Sequence, residues 1–400
     1  MKRFIRVAML LCVVTVLLSI LSIKTIEAKA STASGKISQN RLSSISCGMW
    51  SVVPSPNGNG NSVLNGVATV SANDVWAVGG SGRQASGGQT LIEHWNGTNW
   101  QVVTSPNPGS IYNALYGVTA VSASNAWAVG YYVSTAGVTQ TLIEHWNGSS
   151  WSAVKSPSPA SMNNELFNVA AVSASDVWAV GFVTNNTSSQ TPLDQTLIEH
   201  WNGSSWSVVK SPNPGPGSSN DHLNGVTAIS ASNVWAVGNS NTFAQTLIEH
   251  WNGSHWSVVK SPSPGSGDDL RGVTAVSANN IWAVGYSSNR SSIQTLTEHW
   301  NGTSWQVVTN PSIVTGPSFS AVAAVSANDV WAVGDGSGAS SNRLFVTLTE
   351  QWNGTRWSVV QSPSPGSFNI QLLGVAAVSA NDVWAVGVAD SNTLIENYHC

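Results

Sequence analysis

Five Glu-His pairs recur along the chain, at Glu93-His94, Glu144-His145, Glu199-His200, Glu249-His250 and Glu298-His299. The same position decays to Glu350-Gln351 and Glu396-Asn397. Carboxylate and imidazole together are zinc-site donors. However, the pairs stand about fifty residues apart, and neighbours in an extended strand point to opposite faces. They cannot converge on one ion, so hydrogen bonding between repeats is the expected role. No cofactor motif is present, and no metal or cofactor is expected.

The acids outside repeated positions are Glu165, Asp194, Asp221, Asp268, Asp269, Asp335 and Asp390. A glycosidase needs two carboxylates on opposite sides of its substrate, and nothing in the sequence pairs these. Asp221-His222 and Asp268-Asp269-Leu270-Arg271 nevertheless form the least repetitive cluster in the chain. Arg271 stands where other repeats have Asn65, Tyr116, Phe167, Asn224, Ser320 and Leu373, so packing does not demand it. The expectation is a ligand-binding patch of Asp221, His222, Asp268, Asp269 and Arg271 on two neighbouring loops. The alternative is a solvated loop.

The elements that would position these groups follow from a repeat. Trp-Ala-Val-Gly returns seven times, at Trp76, Trp127, Trp178, Trp235, Trp282, Trp331 and Trp384, with spacings of 51, 51, 57, 47, 49 and 53 residues. A period near fifty residues, with turn signals between short apolar runs, is that of propeller blades. Each repeat divides into four strands: a small inner one such as Gly66-Val67-Ala68-Thr69-Val70, the Trp-Ala-Val-Gly strand, a Glu-His-Trp strand and an outer Trp strand. Asn-Gly between the last two is a strong hairpin signal, and the Ser-Pro link that follows cannot continue a ladder. All 20 Trp fall on three repeated positions, which identifies them as packing between blades.

The ends are out of phase. The seventh repeat stops at Cys400 without its outer strand, and Trp50-Ser51-Val52-Val53 supplies that strand at the other end. An all-β, seven-bladed propeller of four-stranded antiparallel blades is therefore predicted over residues 47–400, its ring closed by the N-terminal strand. That register brings Cys47 and Cys400 face to face, and a disulfide between them is expected. The alternative is two unpaired thiols.

Residues 1–30 have the layout of a secretory signal peptide. Lys2, Arg3 and Arg6 form a basic head, an apolar run follows to Ile20, and Ala28-Lys29-Ala30 is a small-residue exit. The alternative is an uncleaved anchor. Residues 31–46 are polar and Ser-rich, as in a linker. Cleavage leaves 10 basic and 18 acidic residues, a net charge of −8. Nucleic acid and membrane surface are poor partners for such a chain.

Read from Ile92 to Pro108 (I-E-H-W-N-G-T-N-W-Q-V-V-T-S-P-N-P) and on through Gly117 to Tyr131, the repeat resembles kelch. The double glycine of that family survives only at Gly79-Gly80. The resemblance implies four-stranded blades and an interaction role, and carries over no site residue. A kelch-type copper oxidase would need a tyrosine–cysteine site, and both cysteines are already assigned. A sialidase would need converging arginines, and its aspartate box is absent. The expected protein is a secreted, monomeric, non-catalytic module that binds an extracellular protein or glycan on its loop face. The alternative is an extracellular glycan-processing enzyme or a lectin using the same face.

Overall fold

Asn-Gly closes six outer hairpins because its glycine is left-handed, with φ between +91° and +94° at Gly97, Gly148, Gly203, Gly253, Gly302 and Gly354. The asparagine caps the turn: Asn96 Oδ1 accepts the N–H groups of Thr98 (3.0 Å) and Asn99 (3.1 Å). A second glycine is required by close approach. A Cβ on Gly79 would lie 1.9 Å from the Val63 carbonyl oxygen, and the six equivalent Trp-Ala-Val-Gly glycines meet a carbonyl at 1.9 or 2.0 Å. The inner two strands of each blade can pack only if this residue has no side chain.

The computed structural model describes residues 48–400, apart from 59, 83–86, 186–191, 215–219, 241–244, 312–313 and 338–344. The expected signal peptide, the linker and Cys47 lie outside the described residues. All the described chain belongs to one unit, Ser46–Cys400. It forms seven four-stranded antiparallel sheets, with no helix among the described residues. In the first blade the order is β2 (Ser62–Ser71), β3 (Asp74–Ser81), β4 (Gln89–Trp95) and β5 (Trp100–Val103), from the axis outward. Strand β1 (Met49–Val52) pairs with Asn392–His399, so the chain's first strand completes the seventh sheet. Trp50 lies opposite Tyr398, and the Gly48 N–H reaches the His399 carbonyl at 3.1 Å.

The core lies between blades, in seven equivalent apolar clusters. Trp76 meets Trp146 (centroids 4.9 Å) and, edge-on, Trp151 (5.3 Å) of the next blade. This triad recurs around the ring. At the closure Trp331 meets Trp50 and Tyr398 instead, so Tyr398 takes the place of the Trp before Asn-Gly. Tryptophans on the second and outer strands are buried, whereas the one before Asn-Gly is half-buried; Trp95, Trp146 and Trp251 donate to turn carbonyls, Trp95 to that of Ala72 at 3.1 Å.

Candidate functional site

The Glu-His pairs divide their work between two partners. Every glutamate of the set is fully buried. In three blades the serine of the incoming link donates to it: Ser55 to Glu93 (2.7 Å), Ser156 to Glu199 (2.9 Å) and Ser211 to Glu249 (2.9 Å). The histidine does not bridge blades as expected. It is bonded to the turn residue that opens the second strand of its own blade, as in His94 to Asp74 (2.8 Å) and His250 to Asn233 (2.9 Å). Gln351 to Asp329 and Asn397 to Asp382 keep the bond where histidine is lost. Its other face stacks on the blade's tryptophan, 4.1 Å between the His94 and Trp76 rings. Among the described residues no group of three or more His, Cys, Asp or Glu is placed to hold a metal ion.

What differs between blades gathers at the axis. Each inner strand carries a β-bulge just before its small-residue stretch. The extra residues are Asn65, Tyr116, Phe167, Asn224, Arg271, Ser320 and Leu373. A bulge leaves its extra residue unpaired and re-aims the side chain. All seven line one axial cavity of about 380 Å³. Positions two residues before the bulge, and one after the Trp-Ala-Val-Gly glycine, rise from this ring toward the loop face.

On one side of the mouth the ring is aromatic. Tyr112, Tyr131, Tyr116, Phe167, Phe182 and His222 form a continuous run, with successive centroids 5.9, 5.8, 5.6, 5.5 and 4.5 Å apart. His222 Nε2 is 2.8 Å from Asp194 Oδ2. Burial works to raise the Asp194 carboxyl, but bonds from His222 and Thr184 outweigh it and hold the carboxyl below its usual range. Glu165 stands beside them, half-buried. Burial, with a contribution from Asp194 and against one from His222, pushes it up to about 7. Burial also raises the Tyr116 and Tyr131 hydroxyls, with Glu165 adding to both shifts.

Beyond His222 the lining turns polar, through blades four, five and six. Arg271 Nε is 3.2 Å from Asp269 Oδ2, its guanidinium carbon is 4.9 Å from the Tyr286 ring centroid, and Nη1 reaches Ser318 Oγ at 3.4 Å. Asp269 Oδ1 also accepts from Asn224 and Asn239, 2.8 Å each.

The expected patch is thus partly redrawn. Asp268 and Asp269 are not in a loop: both belong to the inner strand Gly267–Ser277 and are buried. Asp268 Oδ2 accepts the Gly265 N–H at 2.9 Å, which ties the incoming link to the strand. Asp221 is likewise buried, just before the strand His222–Ser230. Two to five strand residues precede each bulge, four of them in blade five, so the strand begins earlier than its small-residue core suggests. Arg271 and His222 do reach the mouth, from the adjacent blades five and four. Sequence reasoning missed Tyr112, Tyr116, Tyr131, Phe167, Phe182 and the placing of Glu165 and Asp194. The usable signal was variation at one register position among otherwise repeated strands.

No family model and no curated protein matches the chain, so the kelch resemblance rests on the repeat alone. Solved structures share the propeller fold. YCF48 bound to D1 peptide is similar with a TM-score of 0.55 at 13% identity, over 88% of this chain and 95% of that one. YCF48 from Cyanidioschyzon merolae has a TM-score of 0.53 at 15% identity, over 88% and 98%. The extracellular domain of BT4673, described as a hybrid two component system, from B. thetaiotaomicron has a TM-score of 0.53 at 10% identity, over 87% of this chain and 39% of that one.

Proposed function

We propose that this chain is a secreted, monomeric, non-catalytic β-propeller that binds an extracellular protein at its axial mouth. One observation carries the reading. Seven bulge residues at a single register position present six different side-chain types to one cavity, while the blades around them repeat nearly residue for residue. Folding needs only that the bulge be accommodated; a choice of side chain that varies around the ring points to recognition. Concave sites with a few polar groups among aromatics suit binding, and rigid frames commonly carry function at such variable ends. Two similar folds fit this role, one bound to a peptide and one an extracellular domain. The aromatic run favours a glycan partner as a second reading, because sugar rings stack on such faces.

The test is a screen of extracellular proteins and glycans against the secreted chain, repeated with Tyr116→Ala at the mouth and Thr98→Ala on the opposite face. A partner lost with Tyr116→Ala and kept with Thr98→Ala supports the proposal. Loss with Thr98→Ala alone would move the binding face to the other side and overturn it.

A further inference from the structure

We infer that the aromatic half of the mouth takes a lysine or arginine side chain of a partner polypeptide, with Glu165 as its counter-charge. This rests on the binding-module reading above and adds the chemistry of the ligand. Blade five already displays the arrangement within the chain. There Asp269 is paired across the ladder with Tyr286, and Arg271 lies against both.

Blade three repeats the frame without the cation. Glu165 occupies the position of Asp269, two residues before the bulge, and is paired across the ladder with Phe182, which occupies the position of Tyr286. The bulge residue is Phe167 instead of arginine. Tyr116 and Tyr131 of blade two complete the surround, 5.8 Å apart and nearly parallel. Among the described residues nothing hydrogen-bonds the Glu165 carboxyl, while Asp194 is held by His222 and Thr184. A carboxylate on aromatic faces suits a cation, because the ring faces are themselves electronegative and attract one within about 6 Å. An anionic group would meet Glu165 and Asp194 together. The net negative charge of the chain beyond residue 30 likewise favours a cationic partner.

Capped hexalysine and hexaglutamate peptides, titrated calorimetrically into the secreted chain at about 0.15 M salt to screen distant charges, test the assignment. Hexalysine should bind saturably and hexaglutamate should not. Glu165→Gln and Tyr116→Ala should each weaken hexalysine about five-fold or more. Asp74→Asn is the control: it removes one charge on the opposite face, where other blades have Asn125, Asn233 and Asn280. Equal weakening by Asp74→Asn and Glu165→Gln would show diffuse attraction and overturn the inference, as would binding of hexaglutamate at the mouth. A screened partner that needs Tyr116 but is indifferent to Glu165→Gln would overturn the cation assignment and leave the binding module standing. Folding of each variant is checked by its melting temperature.

Discussion

Trp50, on the first described strand, packs edge to face against Trp331 of the sixth blade, with centroids 5.4 Å apart and planes at 88°. The contact copies that of Trp76 with Trp151 inside the ring. The last inter-blade wedge is therefore filled from the other end of the chain. Trp50→Ala should cost about 3–5 kcal/mol, as for a large buried aromatic, and Trp178→Ala about as much. Denaturant unfolding measures the loss, and the folded fraction should keep its affinity for any mouth ligand. A Trp variant that abolished binding with unaltered stability would show that these rings do more than pack.

The Gly48 to His399 hydrogen bond continues the ladder toward Cys400. We expect Cys47 and Cys400 to be joined under oxidising conditions, with an upper stabilisation of about 5 kcal/mol for so long a loop. Non-reducing peptide mapping should yield one peptide containing both residues. Free thiols at both positions would refute the pairing.

Seven buried glutamates impose a direction on stability against pH. Burial pushes Glu93, Glu144, Glu199, Glu249, Glu350 and Glu396 up to about 8, and Glu298 to about 9. Link serines oppose this only weakly. The unfolded chain ionises near 4.5, so between that pH and about 8 the folded state holds more protons. Stability from these carboxyls is complete below 4.5 and falls as pH rises through 8 to 9. The melting temperature should drop across pH 5 to 9. Glu93→Gln, which keeps an acceptor for Ser55 and cannot ionise, should flatten the slope. A rise over that range would contradict the assignment.

Arg271 and Asp268 should behave differently despite being three residues apart. The Arg271 side chain is 38% exposed, so Arg271→Ala should change stability by less than about 1 kcal/mol and alter binding at the polar half of the mouth. Asp268→Ala removes a buried cap from the Gly265 N–H and should cost about 1–3 kcal/mol. Thermal melts alongside binding of a screened partner separate the two. A destabilising Arg271→Ala with neutral Asp268→Ala would reverse the roles.

The propeller was legible in the chain because its parts are local and repeated. Asn-Gly demands a hairpin through backbone geometry. The Trp-Ala-Val-Gly glycine marks a contact no side chain can enter. The displaced Trp50 strand and the truncated last repeat can be reconciled only by closing a ring. The bond that Gln351 and Asn397 keep in place of histidine was not readable, because the expected bond ran between blades and the observed one stays within its own. The mouth was not legible, because it depends on a shift of register. One extra residue per inner strand swings Tyr116, Phe167 and Arg271 onto the axis, and no local pattern announces that they share a cavity. Burial was equally hidden. Asp268 and Asp269 look like solvent-facing loop acids in sequence, yet extension of the strand past the bulge carries them inside. Which side chains meet across blades is set by closure of the whole ring, and only the tertiary structure decides it.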